Sequence, residues 1–158
     1  VTTAAILTLV LSGCGGEPAS PSPIPSSPTP ADAPPTATMA VGASTYPGEV
    51  GSYSLPGGGS DGPWLGARSL DTTVIASIDD VLVVALADAT IDRWSAVYAA
   101  AADQRPTMPS LLAASQLARG SSEIEIPAPP AGDWVVMVGL EYATGGSGAY
   151  YWHVAVTP

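Results

Sequence analysis

Two stretches near the C-terminus, DWVVMVGLEY (133–142) and AYYWHVAVT (149–157), alternate side chains with a period of two over almost their whole length. In an extended strand that period sends successive side chains to opposite faces, so Trp134, Val136, Val138, Leu140 and Tyr142 share one face of the first stretch. In the second, Tyr150, Trp152, Val154 and Val156 share a face, opposed by Tyr151, His153 and Ala155. No helical stripe accommodates such a pattern. The glycine-rich ATGGSG between the two stretches suits an antiparallel hairpin.

The same signal recurs upstream in shorter form. SEIEI (122–126) places two isoleucines against two glutamates, and Thr72–Ile78 and Val81–Ala87 flank an Asp79-Asp80 turn. Asp92–Ala99 and Val50–Leu55 complete a set of about seven strands, the number and spacing of an antiparallel immunoglobulin-like β-sandwich. The segment PSLLAASQLARG (109–120) reads as a loop with a helical turn. In a chain without phenylalanine, Trp134 and Trp152 are expected to supply large core residues.

The N-terminal third is of a different kind. Ala4–Leu11 is an apolar run too short to span a bilayer and within the range of a signal-peptide hydrophobic region. It leads into Leu11-Ser12-Gly13-Cys14, which resembles the lipobox of bacterial lipoproteins and holds the only cysteine of the chain. That resemblance implies a diacylglyceryl thioether on Cys14, which becomes the N-terminus after cleavage; two or more acyl chains hold a protein at a membrane where one is marginal. The charged n-region of such a leader is not part of this sequence. From Glu17 to Tyr46 proline, serine, alanine and threonine dominate, a composition with too little apolar surface to offset ordering and suited to an extended tether. The organisation expected is therefore a leader over 1–13, a lipidated cysteine and disordered linker over 14–46, and the sandwich over 47–158.

The arrangement is similar to that of small actinobacterial lipoproteins with one β-sandwich behind a proline-rich tether. The residues that carry the likeness are LSGC, GEVGSYSLPGGGSDGP after the tether, IPAPPAGDWVVMV before the penultimate strand and GGSGAYYWHVAV at the end. Members with cysteines near the positions of Ser54 and Ser60 differ from this chain there. The resemblance implies an address on the outer face of the cell membrane and brings no established activity.

Chemistry is sparse. The net charge of −10, from 14 acidic residues against four arginines and no lysine, disfavours nucleic acid as a partner. Cys14 is assigned to the anchor, and His153, the single histidine, is the one side chain left for a hydrolytic triad, on a face opposite Trp152. No serine lies in a nucleophile-elbow sequence. No cofactor is expected, and zinc lacks a ligand set. Asp79, Asp80, Asp88 and Asp92 offer oxygen ligands for calcium without matching an EF-hand spacing, and read better as turn formers.

The function expected is that of a noncatalytic binding or structural module of the cell envelope, with an envelope protein or polysaccharide as partner; a hydrolase using His153 is the alternative from another class. A polysaccharide would be held by stacking on Trp64, Trp94, Tyr98 and Tyr151, which requires at least two of the four to lie open in one patch. Trp64 and Tyr151 are the better candidates for exposure.

Overall fold

The computed structural model describes residues 33–115, 118 and 120–158, so Cys14 and its lipidation lie outside the described residues. Eleven strands are found there: β1 (Ala37–Val41), β2 (Ser44–Pro47), β3 (Glu49–Leu55), β4 (Gly58–Ser60), β5 (Thr73–Ser77), β6 (Val81–Leu86), β7 (Ile91–Ala100), β8 (Ser110–Ser115), β9 (Glu123–Pro127), β10 (Gly132–Tyr142) and β11 (Ser147–Thr157). They form a four-stranded sheet in the order β2-β1-β6-β9 and a seven-stranded sheet in the order β4-β3-β11-β10-β7-β8, with β5 also paired to β11. The fold is all-β and sandwich-like, as the alternation predicts. No helix among the described residues is long and apolar enough to cross a membrane.

The long hairpin β10–β11 is the spine of the larger sheet. Its pairing runs from Gly132↔Val156 to Glu141↔Ser147 without a break. The expected inner faces are the observed ones: Val136, Val138, Leu140, Tyr142, Tyr150, Trp152, Val154 and Val156 all enter the main core. Leu82, Val84, Ile124 and Ile126 meet them from the smaller sheet, the two isoleucines pointing inward while Glu123 and Glu125 face water. Trp134 packs at the margin of this core, where its indole N–H donates to the Pro130 carbonyl (2.7 Å).

Four strands were not expected. The linker assigned to 14–46 overlaps β1 and β2, which form a hairpin on β6 with Ala37 and Met39 fully buried. The Ala/Thr/Pro composition of the tether runs on into β1 and masks its alternation, but burying one methionine is worth about 1.5–3 kcal/mol and draws the strand into the sheet. Gly42, at φ +56°, holds the first position of the two-residue turn between them, as Gly-X hairpins require. β4 is a three-residue extension beyond β3. Over Ser110–Ser115, β8 stands where a loop with a helical turn is expected at 109–120, of which 116, 117 and 119 lie outside the described residues: a register shift opposite Ala96/Val97 leaves Leu112 an extra residue, so Leu112 and Ala113 both turn toward the core and the alternation fails.

The sheets are not purely antiparallel. β3 pairs with residues 147–151 of β11, and β5 takes over the same edge in parallel, from His153↔Thr73 to Thr157↔Ser77. The connection from β4 to β5 therefore crosses the outer face of the larger sheet. It contributes Trp64, Leu65, Ala67 and Leu70 to a second, smaller core over Val135, Met137, Ala149 and Tyr151.

Candidate functional site

The strap formed by residues 61–72 covers one half of that outer face and leaves the other half open. Because the register is known, the open half can be built row by row. One row runs straight across four strands: Arg93 faces Glu141, Glu141 faces Ser147, and Ser147 faces Ser54. Every one of these side chains is polar. The next row holds Ser95, Gly139 and Ala149, all small. Beyond it Met137 and Tyr151 rise against the strap.

Small residues between taller rows make a trough of about 820 Å³, lined by the residues of these rows other than Tyr151, by Trp94, Leu140 and Gly148, and by Ser52, Tyr53 and Asp61 at one side. That volume is within the range of small-molecule sites, roughly 300–1,000 Å³. Four serine hydroxyls, one guanidinium and two carboxylates face it. Among the described residues no carboxylate oxygen lies within 4.0 Å of the Arg93 guanidinium, the one contact of that kind being His153–Asp133.

Gly139 is the residue of the floor that the fold itself does not explain. A Cβ built there would meet Ser95 Oγ at 3.5 Å, the Ser95 carbonyl at 3.9 Å and Met137 Sδ at 4.0 Å, ordinary contacts, and its φ lies outside the left-handed region. Glycine inside a strand weakens it by about 0.5–1 kcal/mol relative to alanine and often marks a place where something approaches the backbone closely.

The four aromatic residues expected to stack a polysaccharide are not open. Tyr151 is buried, and Trp64 is half-buried with its ring edge-on to Tyr151 (centroids 5.3 Å apart, 88° between planes). Trp94 and Tyr98 are half-buried against the main core, where Tyr98 meets Trp134 edge-on at 5.0 Å, and Trp94 is the one of the four that also lines the trough. The four divide between the two faces of one sheet because Trp94 and Tyr98 fall on the inward positions of β7 and Tyr151 on an outward position of β11. No stacking platform results, and the expectation that Trp64 and Tyr151 are exposed is corrected by the strap that packs on them.

His153 lies on the outer face, as alternation requires, and bridges three strands. Thr73 Oγ1 lies 3.0 Å from Nδ1 and Asp133 Oδ1 lies 2.6 Å from Nε2. A neutral imidazole satisfies both when Nε2–H donates to the carboxylate and the threonine hydroxyl donates to Nδ1. The order hydroxyl, imidazole, carboxylate is that of a hydrolytic triad, but Thr73 is a ladder residue of β5 paired to His153 itself, the Asp133 side chain is 62% exposed rather than sequestered to orient the ring, and none of the three lines the trough. The arrangement works as a clasp across β5, β11 and β10.

The four aspartates considered for calcium do not converge. Asp80 Oδ2 accepts from the Ser77 amide at 2.7 Å in the β5–β6 turn, and Asp88 adopts φ +58° in a loop. Among the described residues no group of three or more His, Cys, Asp or Glu gathers to hold a metal.

A buried pair of tyrosines holds Pro35, two residues ahead of β1. Tyr150 Oη donates to the Pro35 carbonyl (2.6 Å), and Tyr142 Oη in turn donates to Tyr150 Oη (2.8 Å). Burial pushes the phenol pKa of both upward, reinforced at Tyr150 by its neighbour, and burial does the same at Tyr151. Sequence alternation located all three residues but could not show that two of their hydroxyls meet.

No family model, curated protein or solved structure matches the chain.

Proposed function

We propose that this chain is a noncatalytic binding module of the cell envelope, held to the outer face of the membrane through lipid on Cys14, and that the trough over Ser95, Gly139 and Ala149 is its binding site. The trough carries this reading: a concave, polar-rimmed surface of ligand size, set on the rigid hairpin β10–β11, with a floor residue whose smallness the fold does not require. A sheet-borne site is pre-organised, which suits recognition more than chemistry.

The sandwich belongs, in this reading, with immunoglobulin-like domains. The pairs β6–β9, β7–β10 and β10–β11, a strand lying parallel to the last one, and a side chain near the start of β10 that bonds back to the backbone at Pro130 all favour that assignment.

Two measurements on the full gene product test the reading. Wild type should take up lipid label and partition with membranes, while Cys14→Ser should lose the label without change in the circular dichroism of the β domain; equal labelling of both forms excludes the anchor. A photo-crosslinking residue at Ser54, on the trough rim, should capture an envelope component that Gly139→Leu abolishes. Capture indifferent to Gly139→Leu excludes the trough.

A further inference from the structure

The trough's charges narrow what it can take. Among the described residues Arg93 has no carboxylate within 4.0 Å; Glu141, its cross-strand neighbour, and Asp61 line the same cavity together with Ser52, Ser54, Ser95 and Ser147. An anion without a cationic group would meet one positive charge and two negative ones, inside a protein of net charge −10. The three charges are exposed; a simple cation would leave the guanidinium without a partner, and an apolar molecule would cover part of their hydration and pair with none of them. A ligand with a carboxylate and an ammonium group pairs both signs at once. The carboxylate suits Arg93, whose planar fork matches it bidentately, and the ammonium suits Glu141 or Asp61. Amide groups between the two ends find their partners in the serines.

We propose, resting on the trough being the binding site, that its ligand is a short zwitterionic peptide or a similar amino compound carrying a free ammonium and a free carboxylate. Gly139 fits this proposal: with no side chain at the centre of the floor, an extended backbone can lie flat on β10 between the polar row and Met137.

The test is an NMR titration of the described domain within the intact chain, using triglycine, N-acetyl-triglycine, triglycinamide and maltotriose as probes. Triglycine should shift the amide resonances of Ser95, Gly139, Ser147 and Ala149 saturably. Blocking either end should weaken binding about tenfold or more, the loss expected for one charge-assisted hydrogen bond. Arg93→Gln should remove the advantage of triglycine over triglycinamide, and Gly139→Leu should abolish binding of every probe. If Gly139→Leu fails to fold, Ser95→Gln fills the trough from the neighbouring strand.

Maltotriose, or a singly charged form, binding as tightly as triglycine and still sensitive to Gly139→Leu would overturn the ligand class while leaving the trough as the site. No shift in the trough with any probe, or shifts that survive Gly139→Leu and Ser95→Gln alike, would overturn both.

Discussion

Replacing Gly139 and Gly148 by alanine, one at a time, separates a glycine kept for the trough from one kept for the fold. The two lie in adjacent strands and line the same cavity. At Gly139 the new methyl has ordinary contacts of 3.5 Å or more, so the chief effect is the lost freedom of the unfolded chain, and Gly139→Ala should stabilise the domain by about 0.5–1 kcal/mol. At Gly148 the methyl would overlap Tyr142 Oη and lie 3.1 Å from Tyr150 Cε2. Those rings are almost wholly buried, and their hydroxyls form the chain that ends on Pro35. Moving them costs about 1–3 kcal/mol for overpacking, and a broken buried hydrogen bond adds about 1–3 kcal/mol. Gly148→Ala should therefore destabilise by about 2 kcal/mol or more. Urea unfolding followed by tryptophan fluorescence, with an unchanged m-value, reads both. A loss of stability in Gly139→Ala would show that the backbone there needs glycine and would remove the floor argument; a neutral Gly148→Ala would refute the packing assigned to the tyrosines.

Two further predictions concern polar groups of aromatic side chains. The Trp64 indole N–H is buried with no hydrogen-bond partner, whereas that of Trp134 donates to Pro130. The same change, Trp→Phe, should thus be nearly neutral at Trp64, where a stranded donor worth about 1–3 kcal/mol is removed along with some packing, and should cost about 0.5–1.5 kcal/mol at Trp134, whose bond is exposed; equal losses in denaturant melts would contradict the assignment. Tyr142, Tyr150 and Tyr151 have phenol pKa values raised by burial, so below the ordinary value near 10 both folded and unfolded states are neutral and stability is complete. Above it the unfolded state releases protons that the folded state retains, and stability should fall as pH rises, with phenolate absorbance from these residues appearing together with the loss of β circular dichroism. Ionisation of all six tyrosines well before unfolding would sink that account.

The hairpin β10–β11 was legible because eleven-residue strands with one wet and one dry face cannot hide their period. Ile124 and Ile126 were legible for the same reason. β1 was not, since Ala37 and Ala40 favour no strand, Thr38 and Val41 are too few to set a period, and the residues before them share the composition of a tether; pairing with β6, far along the chain, gives Ala37 and Met39 a face to bury. β8 failed for a different cause, the extra residue at Leu112 that breaks the period of two. The trough was illegible as a site because its serines, two glycines, three charges and few larger side chains are spread from Ser52 to Ala149, and what unites them is register across four strands. Its centre, Gly139, sits in the middle of VVMVGLEY and could have been noticed as a glycine interrupting an otherwise apolar and β-branched strand.

The position of the trough follows from the way β3 and β5 divide one edge of β11. The chain leaves β4 beyond the half of the sheet where residues 147–151 pair with β3, and must reach the half where residues 153–157 pair with β5. Residues 61–72 make that passage over Tyr151 and Val135, which accounts for the apolar residues beneath them. The rows through Gly139 and Glu141 lie to one side of this route and stay uncovered. An uncovered sheet face need not be a site; it could equally carry scattered apolar side chains, as Ile75, Val81 and Leu111 do elsewhere on the surface. None of the large exposed hydrophobic residues lines the trough, where hydroxyls and opposite charges stand instead around a floor of small residues. Asp61, the first residue of the strap, completes one wall, so the same crossing that seals the apolar half of the face also shapes the polar half, and the trough is built into the chain path.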